Sequence, residues 1–157
     1  MGKSYNHYPK KGDYKQGVFE PKNPEKYKGT LPIVFRSSFE LKFMRYCDYS
    51  QNIQQWGSES VVVQYFDPVS NKIRRYFTDF IIGIKLPSGE FKKMVIEIKP
   101  YKQTIEPVAK NRKNKLGLMK EQQMYVTNMA KWSAATDVCK KNGWIFKILT
   151  EKDLGIS

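Results

Sequence analysis

The sequence predicts an α/β fold in which a mixed central β-sheet is flanked by helices. Two stretches, near residues 37–50 and 118–142, carry apolar residues at helical spacing. Runs rich in β-branched and aromatic residues, bounded by turn residues, lie between these stretches and after the second one. We therefore expect the order helix, three mostly antiparallel strands, helix, strand. The 157 residues suffice for one domain with a substantial core.

The first helix is predicted from Ser37 to about Ser50. Ser37 and Glu40 have the spacing of a capping box, in which a hydroxyl and a carboxylate bind free amides at the start of a helix. Phe39 and Phe43 lie one helical turn apart and begin an apolar stripe. We expect that stripe to face the core.

Three strands are predicted between the helices, at residues 61–66, 72–86 and 91–99. The last two are joined by Pro87-Ser88-Gly89, which suits a three-residue hairpin. In such a hairpin the proline opens a turn and the glycine adopts the left-handed conformation. The connection is therefore short enough to fix how the two strands pair.

This hairpin predicts a register that can be tested. Leu86 is expected to face Glu90, and counting back along both strands then places Asp79 directly opposite Glu97. Because side chains alternate along a strand, Lys99 is expected on the same face as both acids. A slip of one residue would send Asp79 to the other face.

The second helix is predicted at about residues 118–142, where Gly143 ends it, and the last strand at residues 144–149. A short turn is expected to follow that strand. The two cysteines, Cys47 and Cys139, fall in the predicted helices. We expect them to be buried free thiols rather than a disulfide.

The chain is strongly basic, with a formal net charge of +13 and a pI near 9.7. Such an excess of positive charge predicts a polyanionic partner. A hydrophobic content of 40% argues against a disordered polyelectrolyte. No apolar run approaches the roughly 20 residues that span a bilayer, so no membrane partner is expected.

Residues 1–30 are predicted to form a basic arm, and residues 31–157 the globular domain. The arm has seven lysines against three acidic residues, which gives it a net charge of 7 − 3 = +4. Several aromatic residues are interleaved with the lysines. They would either stack on nucleic-acid bases or dock on a protein surface, such as that of a neighbouring subunit.

Charged residues inside apolar strands are the strongest functional signal of the sequence. Asp79 lies in a run of aromatic and β-branched residues, and Glu97 and Lys99 interrupt another such run. A carboxylate in an apolar strand loses hydration worth several kcal/mol unless a cation or donors compensate. Asp79 would either form a salt bridge with Lys99 or belong to an active site. Glu97 and Lys99 would either belong to the same active site or lie on an exposed face of an edge strand, where alternation alone often places charged residues.

These side chains predict a metal site. The carboxylates of Asp79 and Glu97 and the carbonyl of Ile98 would bind a hard divalent ion. Glu40 would help to hold this ion or a second one, or it would serve only as a helix cap. The sequence has one histidine and no CxxC pair, so oxygen ligands are expected, which favours Mg²⁺ with Mn²⁺ as a substitute.

The predicted chemistry is metal-assisted attack on a phosphodiester. The ion would neutralise the phosphate and activate water, and Lys99 would orient that water and offset developing negative charge. The candidate catalytic residues are Asp79, Glu97 and Lys99, joined by Glu40 where it serves as a ligand and not only as a cap. An acidic pocket alone would repel DNA, so cationic residues around it are expected to bind the backbone. The candidates are Arg36, Arg74, Arg75, Lys110, Arg112, Lys113 and Lys115.

At this point the chain resembles a PD-(D/E)XK nuclease. It is similar to the TnsA-type transposon endonucleases, and more closely to the head-completion nucleases of contractile-tailed, T4-like phages. The similarity covers roughly residues 30–154. The residues that carry it are Arg36-Ser37-Ser38-x-Glu40, Trp56, Ser58-Glu59, Tyr65, Pro68, Arg75-Tyr76-Phe77-Thr78-Asp79-Phe80, Glu97-Ile98-Lys99-Pro100, Lys131-Trp132 and Thr150-Glu151. One departure is Thr78, where many relatives have proline.

The resemblance implies a restriction-endonuclease-like core and an Mg²⁺-dependent endodeoxyribonuclease, with Glu40, Asp79, Glu97 and Lys99 as its functional set. It implies action late in phage head assembly, on packaged DNA, with head, portal or neck proteins as partners. The protein would then be found in the virion head or neck, and in the host cytoplasm during assembly. Two alternatives stay open: a non-catalytic virion protein that binds DNA or the portal, and a resolvase-like recombination or repair nuclease.

Overall fold

The computed structural model describes residues 16–109 and 114–155. Its main sheet has four strands, which are, in order across the sheet, Ile53–Ser58 (β3), Phe80–Lys85 (β6), Phe91–Ile98 (β7) and Ile145–Leu149 (β8). β3, β6 and β7 pair antiparallel, whereas β7 and β8 pair parallel. The prediction of a mixed central sheet flanked by helices is confirmed.

Two smaller antiparallel ladders accompany the main sheet. Their strands are Gly17–Phe19 (β1) with Ile33–Phe35 (β2), and Val62–Asp67 (β4) with Lys72–Phe77 (β5). The prediction of one continuous strand over residues 72–86 is therefore wrong. β5 ends at Phe77 and β6 begins at Phe80, and the two strands belong to different sheets.

Hydrogen bonds to neighbouring segments explain the break between β5 and β6. The Thr78 amide and hydroxyl both donate to the carbonyl of Val61, at 3.1 and 2.9 Å. The Glu59 amide donates to the carbonyl of Asp79 at 3.0 Å. The chain is thus held at this corner while it passes from one ladder to the other. A proline at position 78 has no backbone N–H and could not donate the hydrogen bond that the Thr78 amide donates to Val61.

Helix α1, Ser38–Tyr49, covers one face of the main sheet. Its buried Phe43 and Met44 pack with Ile82, Ile96 and other sheet residues in one apolar cluster. Phe43 and Phe80 also form a direct ring contact, with their centroids 4.9 Å apart. The predicted helix at residues 37–50 is confirmed.

Helix α2, Lys115–Lys141, packs on β4 and β8. A second cluster joins its Trp132 and Ala135 to Tyr65 and Tyr76 of the β4–β5 hairpin. The predicted helix at residues 118–142 is confirmed with a start three residues earlier. The two cysteines lie buried in α1 and α2, as expected.

The second half of the predicted arm lies against the domain. Strand β1 pairs with β2, and Phe19 and Tyr27 contact Trp56 with centroids 6.0 and 4.7 Å apart. The buried carboxylate of Asp48 accepts hydrogen bonds from two arm amides, those of Lys22 and Asn23. Among the described residues, no helix is long and apolar enough to cross a membrane.

Candidate active site

The predicted hairpin register is confirmed. Leu86 N donates to Glu90 O at 2.8 Å, and Gly89 has the expected positive φ of 86°. Phe80 pairs with Ile96, and in the same register Asp79 would be the residue opposite Glu97. Asp79 itself lies just before β6, outside the ladder.

Asp79 is tied to the end of β7 through its side chain. Its Oδ2 accepts a hydrogen bond of 2.7 Å from the backbone amide of Ile98. A carboxylate thus takes the place that a strand carbonyl would have in a longer ladder. This bond holds Asp79 beside Glu97 without continuing the strand.

Glu97 is 4% exposed and faces the α2 layer, whereas its neighbours Ile96 and Ile98 pack in the α1 cluster. The hydroxyl of Tyr76 donates a short hydrogen bond to Glu97 Oε2. Lys99 Nζ lies 3.6 Å from Glu97 Oε1. The ammonium therefore pairs with Glu97, rather than with Asp79 as the alternative interpretation of the sequence proposed.

Two carboxylates in one partly buried pocket repel each other. Burial, followed by repulsion from Glu97, raises the pKa of Asp79 to about 8, although the Ile98 amide and Lys99 favour the ionised form. Burial, and then the charge of Glu97, also raise the pKa of the Tyr76 phenol, which stays protonated as a donor. With both carboxylates ionised, the pocket would therefore carry more negative charge than its protein neighbours compensate.

Glu40 lies at the start of α1, close enough for its charge to act on both other acids. Ser37 Oγ accepts from the Glu40 amide at 3.1 Å, which is one half of the predicted capping box. The carboxylate accepts from the amide of Arg36 at 3.0 Å, one residue before the expected partner. Burial raises the pKa of Glu40, opposed by this bond.

Among the described residues, no three His, Cys, Asp or Glu side chains meet at distances that would hold a metal. The contacts described above bring together Asp79, Glu97 and Lys99, and Ile98 lies between the last two in sequence. Glu40 stands nearby as a helix cap. Its role as a ligand stays a prediction.

Arg36 and Glu59 brace one side of the pocket. Their side chains form an ion pair. Glu59 also holds the Asp79 carbonyl through its backbone amide and adopts a left-handed φ of 53°. Since the Arg36 amide binds Glu40, this pair connects the segments that carry two of the predicted acids.

The other predicted DNA-binding residues are spread over the surface. Arg74 Nε bonds to Ser70 Oγ at 3.0 Å and lies 3.4 Å from Asp67 Oδ2. Arg75 stacks over the ring of Phe77 on the exposed face of β5, the face opposite to Tyr76. The strand predicted over residues 72–86 would have placed Arg75 on the same face as Asp79, four residues before it. Because β5 and β6 are separate strands, this placement is wrong. Lys115 is exposed at the start of α2, and Lys110, Arg112 and Lys113 lie outside the described residues.

Two neighbours of the pocket received no role from sequence reasoning. Tyr76 binds Glu97, and Lys131 of α2 lies over the ring of Tyr76. Both residues belong to the motifs that carry the family resemblance. Their position at the pocket depends on packing between layers, which strand periodicity does not reveal.

Comparison with known proteins defines the class. Residues 50–151 match the family described as TnsA-like endonuclease N terminal. The match covers more than half of the chain, so the protein belongs to this endonuclease family. The matched range contains Asp79, Glu97 and Lys99, but it begins after Glu40.

A relative narrows the assignment. The chain is 39% identical to the head completion nuclease of Enterobacteria phage T4 over 142 residues, which is 88% of this chain and 92% of the relative. The predicted resemblance to head-completion nucleases is thereby confirmed.

Proposed function

We propose that this nuclease of phage head completion hydrolyses DNA phosphodiester bonds at the pocket of Asp79, Glu97 and Lys99, with Mg²⁺ as its cofactor. One observation carries the proposal: two carboxylates share a pocket with one ammonium, and burial followed by repulsion from Glu97 raises the pKa of Asp79 to about 8. Endonuclease family membership supplies the reaction class. The pocket supplies groups suited to that reaction.

The donor set fits a hard divalent cation. Asp79 and Glu97 offer carboxylate oxygens, and a carboxylate oxygen that accepts one hydrogen bond keeps a second lone pair. Mg²⁺ is commonly bound by one or two carboxylates, with water and substrate phosphate completing its shell. A bound cation would relieve the repulsion that burdens Asp79. The carbonyl of Ile98 and the carboxylate of Glu40 are the further ligands that we propose.

When bound, the ion would neutralise the scissile phosphate and lower the pKa of water. The protein's part is to position the remaining groups. Tyr76 and Lys99 fix the two oxygens of Glu97, and the Ile98 amide fixes Asp79. Lys99, whose side chain is 27% exposed, can orient the attacking water and stabilise negative charge that develops on the phosphate.

The proposed substrate is packaged phage DNA. The relative is a head completion nuclease, and the net charge of +13 suits a polyanion. We propose that head, portal or neck proteins are the partners, and that the protein acts in the host cytoplasm during assembly and stays in the head or neck. A non-catalytic virion protein is the alternative that cleavage in the next experiment would exclude.

Cleavage should require a divalent metal. We expect purified protein to nick supercoiled plasmid with Mg²⁺ or Mn²⁺ and to leave it intact with EDTA, because no ion is then present to activate water and to stabilise the charge that develops on the phosphate. Agarose electrophoresis of the plasmid measures this directly. Asp137→Asn removes an exposed carboxylate of α2 and should cleave like wild type. An intact plasmid with both metals would favour the non-catalytic alternative.

Tyr76→Phe should weaken metal binding about 10- to 100-fold, which is the usual cost of losing a hydrogen bond to a metal ligand. The change keeps the ring in the α2 cluster, so the fold should persist. Calorimetric titration with Mn²⁺ measures the affinity, and Tyr125→Phe on α2 is the matched control. Equal affinities for Tyr76→Phe and wild type would show that the phenol does not support Glu97.

A further inference from the structure

Lys131 occupies an unusual place for a lysine on a long exposed helix. Its ammonium lies 5.8 Å from the ring centre of Tyr65 and 5.6 Å from that of Tyr76. Both distances fall within the range of cation–π contacts. Among the described residues its ammonium forms no salt bridge. Two buried aromatic rings, rather than a carboxylate, therefore hold this cation.

The same ammonium lies next to the active pocket. Tyr76, one of the rings beneath it, donates its hydroxyl to Glu97, and Glu97 in turn pairs with Lys99. Lys99 and Lys131 are close enough to repel each other, and burial together with this repulsion lowers the pKa of Lys131. Two ammonium groups thus lie on one side of the pocket, and the carboxylates of Glu97, Asp67 and Asp79 offset only part of the effect of burial and repulsion on Lys131.

We propose that Lys131 binds a backbone phosphate of DNA and forms, together with Lys99, a phosphate subsite at the edge of the active pocket. This inference rests on the proposed function, since the substrate that supplies the phosphate is DNA. A phosphate oxygen beside both ammonium groups would turn their repulsion into attraction. The tyrosine rings keep the Lys131 ammonium in place before DNA arrives, so little side-chain entropy is lost on binding.

DNA binding tests the subsite separately from cleavage. The proteins are wild type, Lys131→Met, Lys131→Arg and Lys140→Met, the last removing an exposed charge from the same helix. Fluorescence anisotropy with a short duplex in EDTA gives the affinity at several salt concentrations. We expect Lys131→Met to weaken binding about tenfold or more, the cost of one charge-assisted hydrogen bond. Its slope of log affinity against log salt should fall by roughly 0.9, the value for one lost phosphate contact.

The controls make each outcome informative. Lys131→Arg should keep most of the affinity, because it retains the charge over the rings, and Lys140→Met should bind nearly like wild type. If Lys131→Met and Lys140→Met have equal affinities and equal slopes, the subsite is wrong, even where wild type cleaves DNA. If wild type fails to cleave but Lys131→Met alone loses affinity and slope, the subsite stands and the nuclease proposal fails. Lys131→Gln provides the same comparison should the methionine variant fold poorly.

Discussion

Asp79→Asn is expected to lower the rate of plasmid cleavage at least 100- to 1000-fold while leaving the fold intact. The amide keeps the shape of the side chain and can still accept the Ile98 hydrogen bond, but it loses the charge that would bind the cation. Loss of one preorganised electrostatic group at an active site commonly costs a factor of this size. Rates of nicking with saturating Mn²⁺ measure the effect.

The matched control for this experiment is Asp137→Asn, which removes the same charge at an exposed position of α2. Circular dichroism and DNA affinity should be close to wild type for both variants. Cleavage by Asp79→Asn within a factor of a few of wild type would exclude Asp79 from the reaction.

The second large effect concerns stability against pH without metal. The raised pKa of Asp79 means that the folded state binds a proton more tightly than the unfolded chain does. The stabilisation from this proton is fully present below the ordinary aspartate pKa of about 4 and is lost as the pH rises toward about 8. Glu40 acts in the same direction, and the charges of Glu97 and Lys99 face the group. We therefore expect Asp79→Asn to be more stable than wild type at pH 8.

Thermal unfolding between pH 5 and pH 8.5 in EDTA measures this difference. The advantage of Asp79→Asn should grow across that range, at roughly 2–4 °C of Tm for each kcal/mol. Comparing the two proteins cancels the titration of acids with an opposite shift, such as Asp67, whose pKa the Ser70 hydroxyl lowers. Adding Mn²⁺ at pH 8 should stabilise wild type and not the variant. A Tm difference that stays constant with pH would contradict the proposed strain at Asp79.

The site was predictable because its charged residues lie within strands that are otherwise apolar. Acidic residues in apolar strands stand out in a sequence, and the turn at Pro87-Ser88-Gly89 has chemistry specific enough to give the register that brings Asp79 toward Glu97. The predicted register is therefore correct, even though the single strand predicted at residues 72–86 is two separate strands in the structure. Local turn chemistry, and not strand length, determined this part of the geometry.

The break before Asp79 and strand β3 were missed for related reasons. Apart from Asp79, residues 76–82 form one run of aromatic and β-branched residues, and the hydrogen bonds from Thr78 to Val61 and from Glu59 to Asp79 divide it. Strand β3 contains Gln54, Gln55 and Gly57, which do not alternate in polarity. It becomes a strand by pairing with β6. Contacts between segments distant in sequence created both features, so local patterns could not indicate them.

The contacts that the β4–β5 hairpin and helix α2 make at the pocket could not be predicted from the sequence either. Tyr76 points at Glu97 because the β4–β5 hairpin packs under α2, and Lys131 reaches the same pocket from that helix. Neither residue has a spacing that predicts a functional role. Only the packing of the hairpin against α2 places these two residues at the pocket.

The central claim is that Asp79 and Glu97 jointly bind a divalent cation. Anomalous scattering from a crystal soaked in Mn²⁺ tests it most directly. We predict one strong peak between these two carboxylates, within direct coordination distance of an oxygen of each, and no such peak in Asp79→Asn crystals. A saturated crystal with manganese elsewhere, or a peak that persists in the variant, would contradict the account.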